Sequence, residues 1–127
     1  MAPSTVGALA APAAEQIRLQ VAAAARILGR VAPLLEVVRS AAATDPEIAE
    51  LWRTNIGQRH IVQLRFADAL DAKGALRPGT DAARAADIAL AVLAPETYHL
   101  LVHERGWPAD DWQEWATDAL LGQLLAP

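Results

Sequence analysis

The fold is decided by residues 13–52, which read AAEQIRLQVAAAARILGRVAPLLEVVRSAAATDPEIAELW. Apolar residues recur in the first part of this stretch at the period of an α-helix; they are Ile17, Val21, Ala24, Leu28, Val31, Leu35 and Val38. The pattern predicts one long helix over about residues 13–43. Because Pro33 has no backbone N–H to donate, we expect it to kink this helix.

A second helix begins in the same stretch, at Asp45-Pro46-Glu47. Asp45 can accept hydrogen bonds from the first-turn amides, and Pro46 suits the first helical position. Glu47 complements the helix dipole. We expect this helix to run to about Lys73, where Gly74 provides a stop.

The remaining sequence predicts shorter helices separated by capping residues, glycine and proline. Their expected ranges are about 81–93, 95–105 and 110–125, with Thr80 or Asp81 as a cap and Gly106 as a stop. No segment alternates as a strand would. The predicted fold class is therefore all-α. Residues 13–127 are expected to form one helical domain, an orthogonal or antiparallel bundle. Residues 1–12 are expected to be a frayed lead-in, or the end of a truncated helix.

Composition limits the classes of function. The chain of 127 residues carries 11 Lys and Arg against 15 Asp and Glu, a net charge of −4, which argues against direct contact with nucleic acid. It has no cysteine, so disulfides and thiolate chemistry are excluded. No apolar run reaches the roughly 18 residues that a membrane helix needs. We expect a cytoplasmic protein without membrane contact.

A polar interruption in the second helix suggests a ligand pocket. Asn55 and Arg59 fall on the stripe that apolar residues otherwise occupy, and a buried guanidinium without a partner is costly. Arg59 therefore either meets a carboxylate, faces a cavity that holds water or ligand, or reaches solvent from a slightly rotated helix. In the cavity interpretation the candidate pocket residues are Trp52, Asn55, Arg59, Gln63 and Phe66, with His60 at its edge.

Other polar residues give weaker signals. Asp87 lies in a nearly apolar helix, where Arg84 or an arginine of the first helix is a plausible donor to it, and a structural pair or a surface position is the favoured interpretation. His99 and His103 have the i, i+4 spacing of metal ligands, but no third ligand is visible, and a solvated helix face is the favoured interpretation. No nucleophile, carboxylate pair or phosphate-binding glycine loop is present. The sequence predicts no enzyme, no metal and no cofactor.

The last helix is unusually rich in tryptophan. Trp112, Trp115, Ala119 and Leu120 share one face. Such a face either packs on the chain's own bundle or forms a two-fold interface, where large aromatic residues anchor well, and the two arrangements can coexist. We favour the interface.

Four segments in this order resemble TetR-type transcriptional regulators. They are AAATDPEIAELW (residues 41–52), LDAKGALRP (70–78) followed by RAADI (84–88), PETYHLLVHERGW (95–107), and the closing helix over 115–125. The agreement spans about residues 17–125. The resemblance is to the C-terminal domain of these regulators, which is helical, binds a small molecule and forms homodimers.

The resemblance implies a pocket between the first three helices and a dimer interface formed by the helices that contain residues 85–102 and 111–124. The interface candidates are Ala85, Ile88, Ala89, Val92, Tyr98, Val102, Trp112, Trp115, Ala119 and Leu120. The ligand is expected to be an apolar or aromatic small molecule. Family members carry a DNA-reading helix-turn-helix upstream, and residues 1–12 are too short and too weakly basic to supply one. The expected function is ligand sensing and homodimerisation without DNA binding; the alternative is a dimerisation protein, without a ligand, that pairs with or antagonises an intact regulator.

Overall fold

The computed structural model describes residues 5–127 of the chain, and these are almost entirely helical. The elements are α1 (Thr5–Ala10), α2 (Ala13–Ala42), α3 (Pro46–Ala72), α4 (Ala82–Val92), α5 (Pro95–Tyr98) and α6 (Ala109–Leu124), and a π-helical segment, His99–Glu104, continues α5. The all-α class is confirmed. Of the lead-in predicted for residues 1–12, Thr5–Ala10 is helical, as in the alternative of a helix end, and Met1 to Ser4 lie outside the described residues.

Local signals set the helix ends. Asp45 accepts hydrogen bonds from the backbone amides of Glu47 and Ile48, at 3.0 and 3.4 Å, and so caps α3. Asp81 caps α4 in the same way, through the amide of Arg84 at 2.8 Å. Gly74 and Gly106 follow helical segments with φ of 66° and 76°, a region that glycine enters without steric cost. α2 continues through Pro33 as one helix.

Four helices enclose the core in a ring. α3 packs between α2 and α4, α6 closes the ring by packing on α2 and α4, and α5 crosses α2. The side chains at the centre are mostly aliphatic and small, with one large aromatic ring, that of Trp112, fully buried. Alanines such as Ala85, Ala86 and Ala116 have no exposed surface, which indicates close approach of the helices.

The end of the chain is fastened to the loop between α3 and α4. The amide of Arg77 donates to the carbonyl of Leu124 at 2.9 Å, and the amide of Ala126 donates to the carbonyl of Ala75 at 3.0 Å. The Arg77 guanidinium also donates to the carbonyl of Gly122 at 2.6 Å. These bonds hold α6 against the bundle at its C-terminal end.

The α2–α3 hairpin is unevenly packed along its length. We call residues 13–32 and 66–72 the hairpin root and residues 33–65 the hairpin tip. The root contains buried side chains on both helices, whereas none of the residues 33–65, all of which the structure describes, is buried. The tip therefore contributes no fully buried side chain, although its α3 part still meets α4, where His60 lies 3.7 Å from Asp87.

Residues Ala82–Glu104 form a helical stretch that is long and apolar enough, by composition alone, to cross a membrane. This finding is weak evidence, since core helices of soluble proteins pass the same test. In the structure the stretch is interrupted at Ala94, where the backbone is extended before Pro95. Its first part, α4, packs on α3 and α6 within the bundle.

Candidate functional site

The five predicted pocket residues lie along the side of α3 that faces α2. Two hydrogen bonds fix this orientation: the Gln20 side chain donates to the Gln63 side chain, and the Gln16 amide donates to the carbonyl of Phe66 at 3.0 Å. Nearer the N-terminus of α3, on the same side and within the hairpin tip, lie Trp52, Asn55 and Arg59. Each of the three is half-buried. The helical period thus placed these residues together, as the spacing predicts.

Arg59 is held by its neighbours on α3. Its Nε donates to Asn55 Oδ1 at 2.9 Å, and the guanidinium carbon lies 5.4 Å from the centroid of the Trp52 ring, within cation–π range. Within residues 5–127 no carboxylate comes within ion-pair distance of it. Burial lowers the pKa of the Arg59 guanidinium, and the more distant charge of Glu96 partly opposes this shift. The two terminal nitrogens of the guanidinium are thus left to bind a further group.

The lower end of the predicted pocket is closed. Phe66 is buried, with 8% of its surface exposed, and Gln63 is engaged by Gln20. Below them the Lys73 ammonium donates to the Gln16 side chain and, at 2.8 Å, to the carbonyl of Leu9. Gln63 and Phe66 therefore act as part of the packing between α2 and α3, and the part of the stripe that solvent can reach is Trp52, Asn55 and Arg59.

Sequence reasoning missed this glutamine network. Gln16 and Gln20 are the two buried polar residues of the described chain, with 0% and 5% exposure. Their spacing of four residues puts both on the face of α2 that meets α3. This spacing, together with a glutamine at position 63 on the facing helix, is the feature of the sequence that could have indicated the network.

Two open surface depressions lie away from the predicted pocket. One, of about 620 Å³, lies at the start of α4 and is lined by Arg77, Thr80, Asp81, Arg84 and Gln123 among others. The second, of about 380 Å³, lies between the starts of α2 and α6, beside Arg18 and Gln113. Both are broad and shallow, so neither encloses a ligand as small-molecule sites do.

Half of the predicted dimer interface is wrong. Ala85, Ala89, Tyr98, Trp112 and Leu120 are buried in the chain's own core, with at most 4% of their surface exposed. The Tyr98 and Trp112 rings meet edge to face with centroids 5.0 Å apart. Because these side chains are already covered by the bundle, they are not available to a second copy.

The other five interface candidates retain some exposure. Ile88, Val92, Val102 and Ala119 are half-buried, and Trp115 keeps 36% of its surface exposed. Trp115 lies edge-on to Trp107, with centroids 6.2 Å apart.

The other polar residues singled out in the sequence, Asp87, His99 and His103, have neighbours of their own in the structure. Asp87 is exposed, which confirms the surface position, and its Oδ1 lies 3.7 Å from Nε2 of His60 on α3, so its neighbour in the described chain is a histidine and not an arginine. His99 lies 3.6 Å from Glu104, and the His99 and His103 rings are 5.4 Å apart. Within residues 5–127 no group of three or more His, Asp or Glu side chains could hold a metal ion.

Comparison with known proteins gives no relative from which a role could be transferred. No protein-family model, no curated protein and no solved structure matches the chain.

Proposed function

We propose that this chain is the ligand-sensing and homodimerisation domain of a TetR-type transcriptional regulator, located in the cytoplasm, and that it does not itself bind DNA. The proposal is supported by the order of the four resembling segments and by the helical bundle. The net charge of −4 disfavours association with a phosphate backbone, which is itself negatively charged. The observation that carries the sensing role is the half-buried Arg59, which has no carboxylate partner.

The chemistry of this site favours a planar, anionic ligand. Arg59 presents two terminal nitrogens, and a guanidinium binds a carboxylate through two parallel hydrogen bonds. Trp52 offers an aromatic face beside it, and Asn55 fixes the orientation of the guanidinium. An aromatic carboxylate would bind the guanidinium through its charge and the tryptophan through its ring. This narrows the predicted class of ligand from apolar or aromatic molecules to aromatic carboxylates.

Calorimetric titration with 1-naphthoate, compared with the neutral 1-naphthamide, tests the site. We expect the carboxylate to bind more tightly, and Arg59→Gln to weaken its binding at least about tenfold, since a hydrogen bond to a charged group contributes about 1.5–3 kcal/mol. Arg53→Gln, on an exposed residue of the same helix, is the matched control and should leave binding unchanged.

The result that contradicts ligand sensing is equal, weak binding of both probes that neither substitution alters. Unfolding measurements on Arg59→Gln separate a binding role from a structural one. A ligand-binding arginine costs little stability when it is replaced. A buried structural partner costs roughly 3 kcal/mol or more.

A dimerisation protein without a ligand is the second candidate function. It is favoured by the exposed apolar residues of the hairpin, because contiguous exposed apolar surface marks interaction sites. This candidate predicts homodimers, or heterodimers with an intact regulator, and no response to either probe.

A further inference from the structure

The side of α2 that faces α3 differs between the root and the tip of the hairpin. In the root it carries Gln16 and Gln20, which bond to α3 and have 0% and 5% of their surface exposed. Ile27 lies about two helical turns beyond Gln20, and Leu34 lies about five turns beyond Gln16. Both apolar side chains therefore also face α3, yet 60% and 64% of their surface is exposed. In the tip, α3 does not cover them, and the edge between the two helices is open to solvent.

The opposite wall of this open edge is the stripe of α3 that carries Arg59. Asn55 lies about five turns before Lys73, so the two share one line along α3, and Arg59 lies beside it. At the root end of this line, the Lys73 ammonium donates to the Gln16 side chain and to the carbonyl of Leu9. α1 therefore lies across the root part of the same edge, where it packs on both α2 and α3.

We call the open part of the edge the tip groove; its defining side chains are Ile27, Leu34, Trp52 and Arg59. The bond between Gln20 and Gln63 sets its register, because the two helices run antiparallel and each rises about 1.5 Å per residue. Arg59 is then level with about residue 24 of α2. Ile27 lies about 5 Å nearer the turn than that level, and Leu34 lies about 15 Å nearer. The groove thus has a positive charge at its root end and apolar side chains from there to the turn.

The charge and the apolar wall together indicate what the groove binds. Within residues 5–127 no carboxylate lies within ion-pair distance of Arg59, so a carboxylate on the ligand would be its first anionic partner. An apolar group joined to that carboxylate is buried only if it extends toward the turn, since Ile27 and Leu34 lie on that side. The order of the side chains therefore fits an elongated molecule with its carboxylate at one end.

We propose that the tip groove binds a para-alkylated aromatic carboxylate, with the carboxylate on Arg59, the ring between Trp52 and Ile27, and the alkyl chain directed toward Leu34. The proposal rests on the sensing role proposed above and extends that site from α3 to α2. Leu34 then determines the preference for long alkyl chains, because a chain in the para position reaches it only after it has passed Ile27.

Calorimetric titration of the full chain with benzoate and 4-hexylbenzoate tests this arrangement. We expect 4-hexylbenzoate to bind at least about tenfold more tightly, since each fully buried methylene contributes about fourfold and the groove is open on one side. Leu34→Ser should reduce this ratio to about threefold or less and leave the binding of benzoate unchanged. Ile27→Ser should weaken the binding of both carboxylates.

Ile61→Ser is the matched control. Ile61 is 58% exposed, close to the 60% of Ile27, but it lies two residues beyond Arg59 and so on nearly the opposite side of α3. This substitution should change neither affinity. Because Leu34 and Ile61 are both exposed, their replacement should leave the fold intact, and urea denaturation of the same samples checks this.

The outcomes separate the groove from the sensing role. Equal affinities for benzoate and 4-hexylbenzoate, both weakened by Arg59→Gln, overturn the tip groove and leave the sensing role standing. A tenfold ratio that is the same in Leu34→Ser and Ile61→Ser also overturns the groove, because the alkyl chain then lies elsewhere. No binding of either carboxylate, nor of 1-naphthoate, overturns both the groove and the sensing role.

Discussion

The root and the tip of the α2–α3 hairpin form the same secondary structure with different packing. In the root, Ile17, Val21 and Leu70 are enclosed by α4 and α6 and are almost fully buried. In the tip, equally apolar side chains such as Leu34 and Leu51 remain more than half exposed. The same helices therefore bury their apolar side chains in the root and leave them exposed in the tip.

The largest expected difference between the root and the tip is in the free energy of unfolding that is lost when a leucine is replaced by alanine. Leu70→Ala removes an almost fully buried side chain of the root, so it should lower the free energy of unfolding by about 2–5 kcal/mol. Leu34→Ala should change it by less than about 0.5 kcal/mol in the single copy. Urea denaturation, at a protein concentration below that of dimer formation, gives both values. Similar losses at the two positions would contradict the division between root and tip.

A smaller loss of stability is expected for a substitution in the turn that connects α2 and α3. Asp45→Ala removes the side chain that caps α3 and should cost about 1 kcal/mol. Asp45→Asn keeps an acceptor and should cost less. If the tip is stabilised mainly by a second copy, adding protein should offset part of this loss. Thermal unfolding over a range of protein concentrations measures that recovery.

The smallest effect concerns an ion pair on α2. The hydrogen bond from Arg39, with Nε to Oε2 at 2.9 Å, lowers the pKa of the Glu36 carboxyl, and the positive charge adds to this shift. A lowered pKa stabilises the fold above the ordinary pKa of glutamate, and this contribution is lost as the pH falls through the lower, folded-state value. Because the pair lies at the surface, Glu36→Gln should change unfolding by less than about 0.5 kcal/mol at neutral pH. A loss above 1 kcal/mol would show that the tip depends on its ion pairs.

The sequence predicted the helices well because their ends depend on local chemistry. Asp45, Asp81, Gly74 and Gly106 act through backbone hydrogen bonds and φ angles that involve near neighbours only. The grouping of Trp52, Asn55 and Arg59 followed from the helical period alone. These features did not require knowledge of which helices meet.

The interface could not be predicted in the same way. Trp112 and Leu120 are apolar enough to pack on their own bundle or on a second copy, and periodicity does not distinguish the two. The outcome depends on how α6 docks between α2 and α4, which is a tertiary property. The exposure of Ile27 and Leu34 could not be predicted from the sequence for the same reason. Both residues are adjacent to the core stripe of α2, and the helix is apolar over a wider arc than the bundle covers.

The distance between two spin labels tests homodimerisation, the central claim of the proposed function, most directly. The chain has no cysteine, so Asp118→Cys places a single label on the exposed side of α6, and Gln58→Cys places one on the exposed side of α3. Packed helices lie 8–10 Å apart, so in a dimer formed through either helix we expect the two labels on that helix to be within roughly 20 Å of each other. A chain that shows no short distance at either position and stays monomeric at every concentration would contradict homodimerisation.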